Sequence, residues 1–164
     1  MSWAELADAA PKVAAAGRRL IQRFGYVLAG TIRRDGTPRI SPVEAHFVAG
    51  DLRVAMMPQT LKARDLLRDP RLVLNVPITD PHDPGAEFKV RGRAVVVDDP
   101  AERRATGDAI KAASDWRPRD DWHLFTVEVE EAALMVWVEG ALQMTKWSRA
   151  GGLEQGSRPA PEVN

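Results

Sequence analysis

The sequence predicts a mainly β, α+β fold: an antiparallel β-barrel, closed or partly closed, with helices on its periphery. Three observations carry this reading. Roughly seven or eight short apolar runs recur along the chain, most of them set off by turn residues rather than by long crossovers. Only two or three stretches show helical periodicity, and they are inserted between the strands. With 164 residues the chain favours one domain and can bury one sizeable core.

Residues 3–24 read as a helix, with Leu6, Val13, Leu20, Ile21 and Phe24 near one face and Pro11 breaking or kinking the run. Gly25 ends it. Tyr26 to Arg33 is a strand, Asp35-Gly36 a two-residue turn signal, and Thr37 to Val48 a second strand. Pro42 points to an edge position or a bulge there. Ala49-Gly50-Asp51 turns the chain into Leu52 to Met57, which completes a three-stranded meander.

A tight turn at Pro58-Gln59-Thr60 then leads into an amphipathic helix, Leu61 to Arg68, with Thr60 in the N-cap position. Asp69-Pro70 stops it, because the residue before a proline is pushed out of the helical region. Arg71 to Ile78 is a fourth strand, Thr79 to Gly85 a loop by composition, and Glu87 to Asp98 a long strand. Within it Gly92 suggests a bulge or a close backbone approach. Asp99-Pro100 starts a helix, Ala101 to Ser114, followed by a charged loop, Asp115 to Asp121. Three strands follow: His123 to Val129, Ala133 to Glu139 and Ala141 to Ser148. The domain therefore spans 1–150, and the Gly-, Pro- and Ser-rich segment 151–164 reads as a mobile tail that a partner chain could hold. A barrel with so few helices leaves one face uncovered, which dimerisation would cover.

Composition removes several functions. Lys+Arg and Asp+Glu are both 23, which argues against a dedicated nucleic-acid binder. No apolar run approaches the length of a membrane span, and the N-terminus lacks a basic leader, so no membrane association is expected. Cysteine is absent, which fits a reducing cytoplasm and removes thiolate chemistry. His46, His82 and His123 are far apart and show no metal-ligand spacing, so no metal site is expected. There is no GxSxG, no phosphate loop and no dinucleotide fingerprint.

What remains is a set of residues suited to a planar, anionic cofactor. Arg39, Ile40, Ser41 and Pro42 offer a strand segment with a cation and a hydroxyl. Met56 and Met57 offer apolar atoms for a ring. Thr60, Lys62 and Arg64 surround a helix start whose free N–H groups suit a phosphate. Lys89 and Arg91 share one strand face, and Lys146, Trp147 and Arg149 close the last strand. Taken singly, Lys62 and Arg64 fit a solvated helix, Lys89 and Arg91 a solvated strand, and Trp147 a core or interface position.

The order of these segments resembles a known family. Gly30 to Val43 (GTIRRDGTPRISPV), Asp51 to Val76, Phe88 to Asp99 (FKVRGRAVVVDD) and His123 to Leu153 together resemble the pyridoxamine 5′-phosphate oxidase-like, flavin-binding split-barrel family. The resemblance implies a six-stranded antiparallel split barrel, a homodimer with the cofactor at the interface, and a small-molecule substrate. The implied cofactor is FMN, with the 8-hydroxy-5-deazaflavin coenzyme or haem as alternatives, and the implied activity is hydride transfer or non-catalytic binding. By this resemblance Arg39, Ile40, Ser41 and Pro42 line the ring, Met56 and Met57 lie beside it, and Thr60, Lys62 and Arg64 hold the phosphate. Glu87 meets the ring's polar edge, and Trp147 and Arg149 come from the second chain. No side chain is implied as a catalytic acid or base. Gln143-Met144-Thr145 stands where the vitamin oxidases carry an Arg and a His two apart, which argues against that activity itself. Leu61 replaces a cation of the family's phosphate cradle, and KWSRAGGL is closer to the small deazaflavin- or FMN-using reductases.

Overall fold

The computed structural model describes residues 1–78, 85–138 and 140–159. Two helices open the chain, α1 (Trp3–Ala9) and α2 (Pro11–Phe24). The expected break at Pro11 is a helix boundary, with Pro11 at the first turn of α2, where its missing N–H costs nothing. Gly25 ends α2 at φ 70°, a left-handed cap. Ser2 and Glu5 form a reciprocal capping box on α1 that the sequence reading did not include.

Strands β1 (Tyr26–Ile32), β2 (Pro38–Val48) and β3 (Asp51–Met56) form the meander, and α3 (Leu61–Arg68) leads to β4 (Arg71–Val76). Then come β5 (Ala86–Val96), α4 (Pro100–Ser114), β6 (His123–Val138), β7 (Ala141–Ser148) and β8 (Gly152–Pro159). The sheet runs β3-β2-β1-β4-β5-β6, and β6 returns to pair with β3, which closes a six-stranded antiparallel barrel. Strands β7 and β8 extend the sheet from the second half of β6.

Three expectations are corrected. The hairpin between β1 and β2 is not a two-residue turn: Arg33 N–H donates to the Thr37 carbonyl at 2.8 Å, enclosing residues 34–36, and Gly36 supplies the positive φ of 84°. The two strands expected over His123 to Val129 and Ala133 to Glu139 are one strand, β6. The charged run between them is a bulge, because the register with β5 shifts between Arg91 and Gly92 and leaves Glu130 unpaired there. Finally, Gly152–Pro159, read from composition as a mobile tail, forms β8 against β7. The stretch of the expected loop that holds His82 lies outside the described residues, as does Glu139.

The main core fills the barrel and the underside of α1 and α2, with Trp3, Leu6, Ile21, Phe88 and Phe125 nearly fully buried. Gly17 lets α2 lie on Phe88, since a Cβ there would come within 2.2 Å of the ring. A second cluster under α4 joins Ala55, Val97, Ile110 and Leu124, with Trp116 and Trp122 packed against it. Arg53 ties α4 to the barrel: it is buried and donates to Thr106 Oγ1 at 2.5 Å and to the Glu102 carboxylate at 3.3 Å.

Candidate functional site

The site is built on an interrupted edge. Strand β2 pairs with β1 from Pro38 to Glu44, but with β3 only from Glu44 onward. Residues Arg39 to Pro42 therefore have β1 on one side and no strand on the other among the described residues. The ladder alternates, so successive residues aim their backbone groups to opposite sides. Lys62 Nζ donates to the Pro42 carbonyl at 2.5 Å from the open side. The backbone of Ile40, two residues away, faces the same way. Proline at 42 is tolerated because no ladder partner there needs its N–H.

Helix α3 lies beside this edge and is fixed by a carboxylate that the sequence reading overlooked. Asp65 is 3% exposed. It accepts from Arg39 Nε at 2.6 Å, Thr31 Oγ1 at 3.0 Å and Arg68 at 3.3 Å. Burial pushes its carboxyl up, but the bonds from Arg39, Thr31 and Arg68 together outweigh that and hold it below the ordinary carboxylate value. Arg39 thus fixes α3 through its Nε. The only sequence trace of this is an acid flanked by Arg64 and Arg68 in KARDLLR, which looks like any solvated helix.

The turn before α3 holds Gln59 in a left-handed conformation, φ 66°. Thr60 occupies the N-cap position but does not cap: its hydroxyl donates back to the Met57 carbonyl at 3.0 Å. The first-turn N–H groups of α3 therefore lack the side-chain cap that was expected. Arg64 reaches back to Gln59 Oε1 at 2.5 Å, which keeps its guanidinium beside the turn. Burial lowers the pKa of Lys62, whose ammonium has a backbone carbonyl as its partner and no carboxylate within ion-pair distance among the described residues. Such an ammonium is well placed for an anion.

A cavity of about 290 Å³ joins these parts, lined by Pro42, Met56, Met57 and Lys62 together with Tyr26, Glu44, Trp116 and Trp122. Met57 is 55% exposed and presents its side chain at the rim, whereas Met56 is 1% exposed and belongs to the core. Ile40, 72% exposed, and Ser41 stand on the adjoining edge. The remaining predicted residues lie elsewhere in this chain. Glu87 pairs with Lys89 at 2.7 Å on β5. Arg91 and Lys146 both meet Glu131, at 3.5 and 2.9 Å. Trp147 is 6% exposed and belongs to the main core of this chain. Arg149 follows β7, its N–H donating to the Glu130 carbonyl at 2.9 Å. Among the described residues no group of three or more His, Asp or Glu side chains gathers as a metal site. No helix there is long and apolar enough to cross a membrane.

Comparison with known proteins agrees with this architecture. The family model described as pyridoxamine 5′-phosphate oxidase matches residues 13–136. A search of curated proteins finds no match. Among solved structures, an F420 reductase is 24% identical with a TM-score of 0.56, over 70% of this chain and 94% of its own. Campylobacter jejuni ChuZ is 10% identical with a TM-score of 0.74, over 94% of this chain and 66% of its own. A heme binding protein from Mycobacterium smegmatis is 13% identical with a TM-score of 0.57, over 92% of this chain and 90% of its own. At these identities the likeness establishes the fold. The match over residues 13–136, most of the barrel, places this chain in the pyridoxamine 5′-phosphate oxidase family.

Proposed function

We propose that this protein binds FMN, or the 8-hydroxy-5-deazaflavin coenzyme, along the open edge of β2 and acts as an oxidoreductase on a small molecule. The observation that carries the reading is the cavity where Pro42, Met57 and Lys62 meet beside the uncapped start of α3. The donor set suits a phosphorylated, planar ligand. Lys62, the first-turn N–H groups of α3 and Arg64 offer positive charge and donors for a phosphate. The free backbone groups of Ile40 suit the polar edge of a heteroaromatic ring, and Met57 supplies a polarisable contact for its face. A bound flavin or deazaflavin supplies the hydride chemistry. The protein's part is to orient the ring, neutralise the phosphate and exclude water.

In this reading a second copy of the chain covers the open edge. Ile40, Met57 and Leu61 are exposed around it, at 72%, 55% and 55%. A homodimer would bury them and bring Trp147 and Arg149 from the partner. The side-chain oxygen Oδ1 of Asn75 is buried without a hydrogen-bond partner. The F420 reductase among the structural neighbours supports a deazaflavin as a candidate, and the heme binding protein a tetrapyrrole.

A second reading, tetrapyrrole binding without turnover, draws on His46. Burial pushes its imidazole below the ordinary value, against the opposing pull of Glu44, and its Nε2 is buried without a hydrogen-bond partner. A neutral imidazole of that kind can ligate iron. The two readings part in a titration comparing FMN with riboflavin. Phosphate-dependent binding that weakens in Lys62→Ala supports the first. Equal affinity for both ligands contradicts the cradle, and a Soret band with added haem that is lost in His46→Ala supports the second.

A further inference from the structure

The inner end of the cavity carries chemistry that a phosphorylated ring does not need. Register places Tyr26 and Ala55 on either side of Glu44, in one row across β1, β2 and β3. Ala55 belongs to the buried cluster under α4 and also lines the cavity. Trp116 and Trp122 close it from the loop after α4, their rings 5.0 Å apart and tilted by 45°. Three aromatic residues and Glu44 therefore line the same cavity.

The carboxylate has no matched partner. One carboxylate oxygen of Glu44, Oε2, is buried and accepts no hydrogen bond, while the side chain as a whole is partly exposed. Its nearest basic neighbour is His46 Nε2, at 3.5 Å. Burial pushes that imidazole below its ordinary value, against the opposing pull of Glu44. Lys62 lies across the cavity, donates to Pro42 and is not within ion-pair distance of Glu44. Arg53, opposite His46 on β3, is taken up by Asp51, Glu102 and Thr106. The Glu44 side chain is 44% exposed, so its carboxylate is reachable from solvent and offers negative charge to a cation. Aromatic faces attract the same kind of group through their quadrupoles.

We propose that Tyr26, Glu44, Trp116 and Trp122 form a subsite for a small organic cation with an aromatic or apolar body, which names the class of substrate for the cofactor site. The inference rests on the cofactor reading for its role as a substrate position, and on the geometry alone for the binding itself. The two are therefore tested separately.

Calorimetric titration of the full chain without cofactor compares three probes of similar shape: benzyltrimethylammonium, benzyl alcohol and phenylacetate. The cation binds most tightly, on the order of tenfold better than the alcohol, and phenylacetate binds most weakly. Glu44→Gln lowers the affinity for benzyltrimethylammonium by about tenfold and leaves that for benzyl alcohol unchanged. Equal affinities across the series overturn the subsite. So does preference for phenylacetate, which would assign the cavity to Lys62, and so does a cation affinity that Glu44→Gln does not move. If that variant fails to fold, the charge series on the unaltered protein decides alone. FMN titrated into the same preparation separates the two claims. FMN binding without cation preference removes the subsite and keeps the cofactor reading; cation preference without FMN binding does the reverse.

Discussion

Lys62 and Asp65 sit three residues apart on one short helix and do opposite work. Lys62 presents a half-desolvated ammonium to the cavity, while Asp65 is turned inward to hold α3 on the barrel. Lys62→Ala should weaken FMN binding by about tenfold or more, since it removes one charge-assisted contact, and should leave thermal stability nearly unchanged. Asp65→Asn should instead destabilise the fold by about 3 kcal/mol, because it leaves Arg39 without its counter-charge; denaturant unfolding measures this. The pH dependence has a definite sign. The folded pKa of Asp65 is depressed, so its contribution is present above the unfolded value of about 3.9 and is lost as pH falls through the folded value. Asp65→Asn should therefore flatten the acid limb of the stability profile. Single residues were the least legible part of the sequence. Lys62 was visible because a cation after a predicted N-cap has a chemical reading. Asp65 was not, because an acid among arginines on a helix reads as solvated until burial is known.

At the scale of elements, periodicity and turn chemistry located nearly every strand and helix, including both ends of α3. The register was less legible. Asp35-Gly36 signalled the hairpin, yet a two-residue turn would have slipped β2 by one residue relative to β1 and sent each cross-strand pair to the wrong neighbour. The observed loop places Tyr26 opposite Glu44, and the cation subsite depends on that pairing. Strand β6 is longer than its sequence suggests. Its run of glutamates looked like a break, but a bulge absorbs the extra residue and lets one strand close the barrel and then carry β7. Gly92 is the other half of that bulge, anticipated from its position in an otherwise regular strand. A Cβ there would stand 2.0 Å from the Glu128 carbonyl oxygen. Gly92→Ala should cost about 2 kcal/mol or more, seen as a lower denaturation midpoint, whereas Gly156→Ala, which meets nothing within 4 Å, should be nearly silent.

For the whole molecule, the barrel followed from counting strands, but what covers it did not. The open edge of β2 with exposed Ile40, Met57 and Leu61, and Val73 at 38% on β4, is apolar surface that a lone chain would leave in water. A homodimer would cover it, and sedimentation analysis should then give about twice the chain mass of 18.1 kDa. Ile40→Glu should shift that population toward monomer and weaken cofactor binding with it. Trp147 shows the limit of reading an interface from sequence: a tryptophan near the end of a strand serves a core or a partner equally well, and here the core claims nearly all of it. The central claim is that the β2 edge and the start of α3 hold a phosphorylated flavin or deazaflavin. A spectroscopic titration of the purified chain with each of these two cofactors tests it most directly. Saturable binding of at least one is expected, at one per chain, with a shifted visible band and loss of affinity in Lys62→Ala; an unchanged spectrum with both would rule the site out.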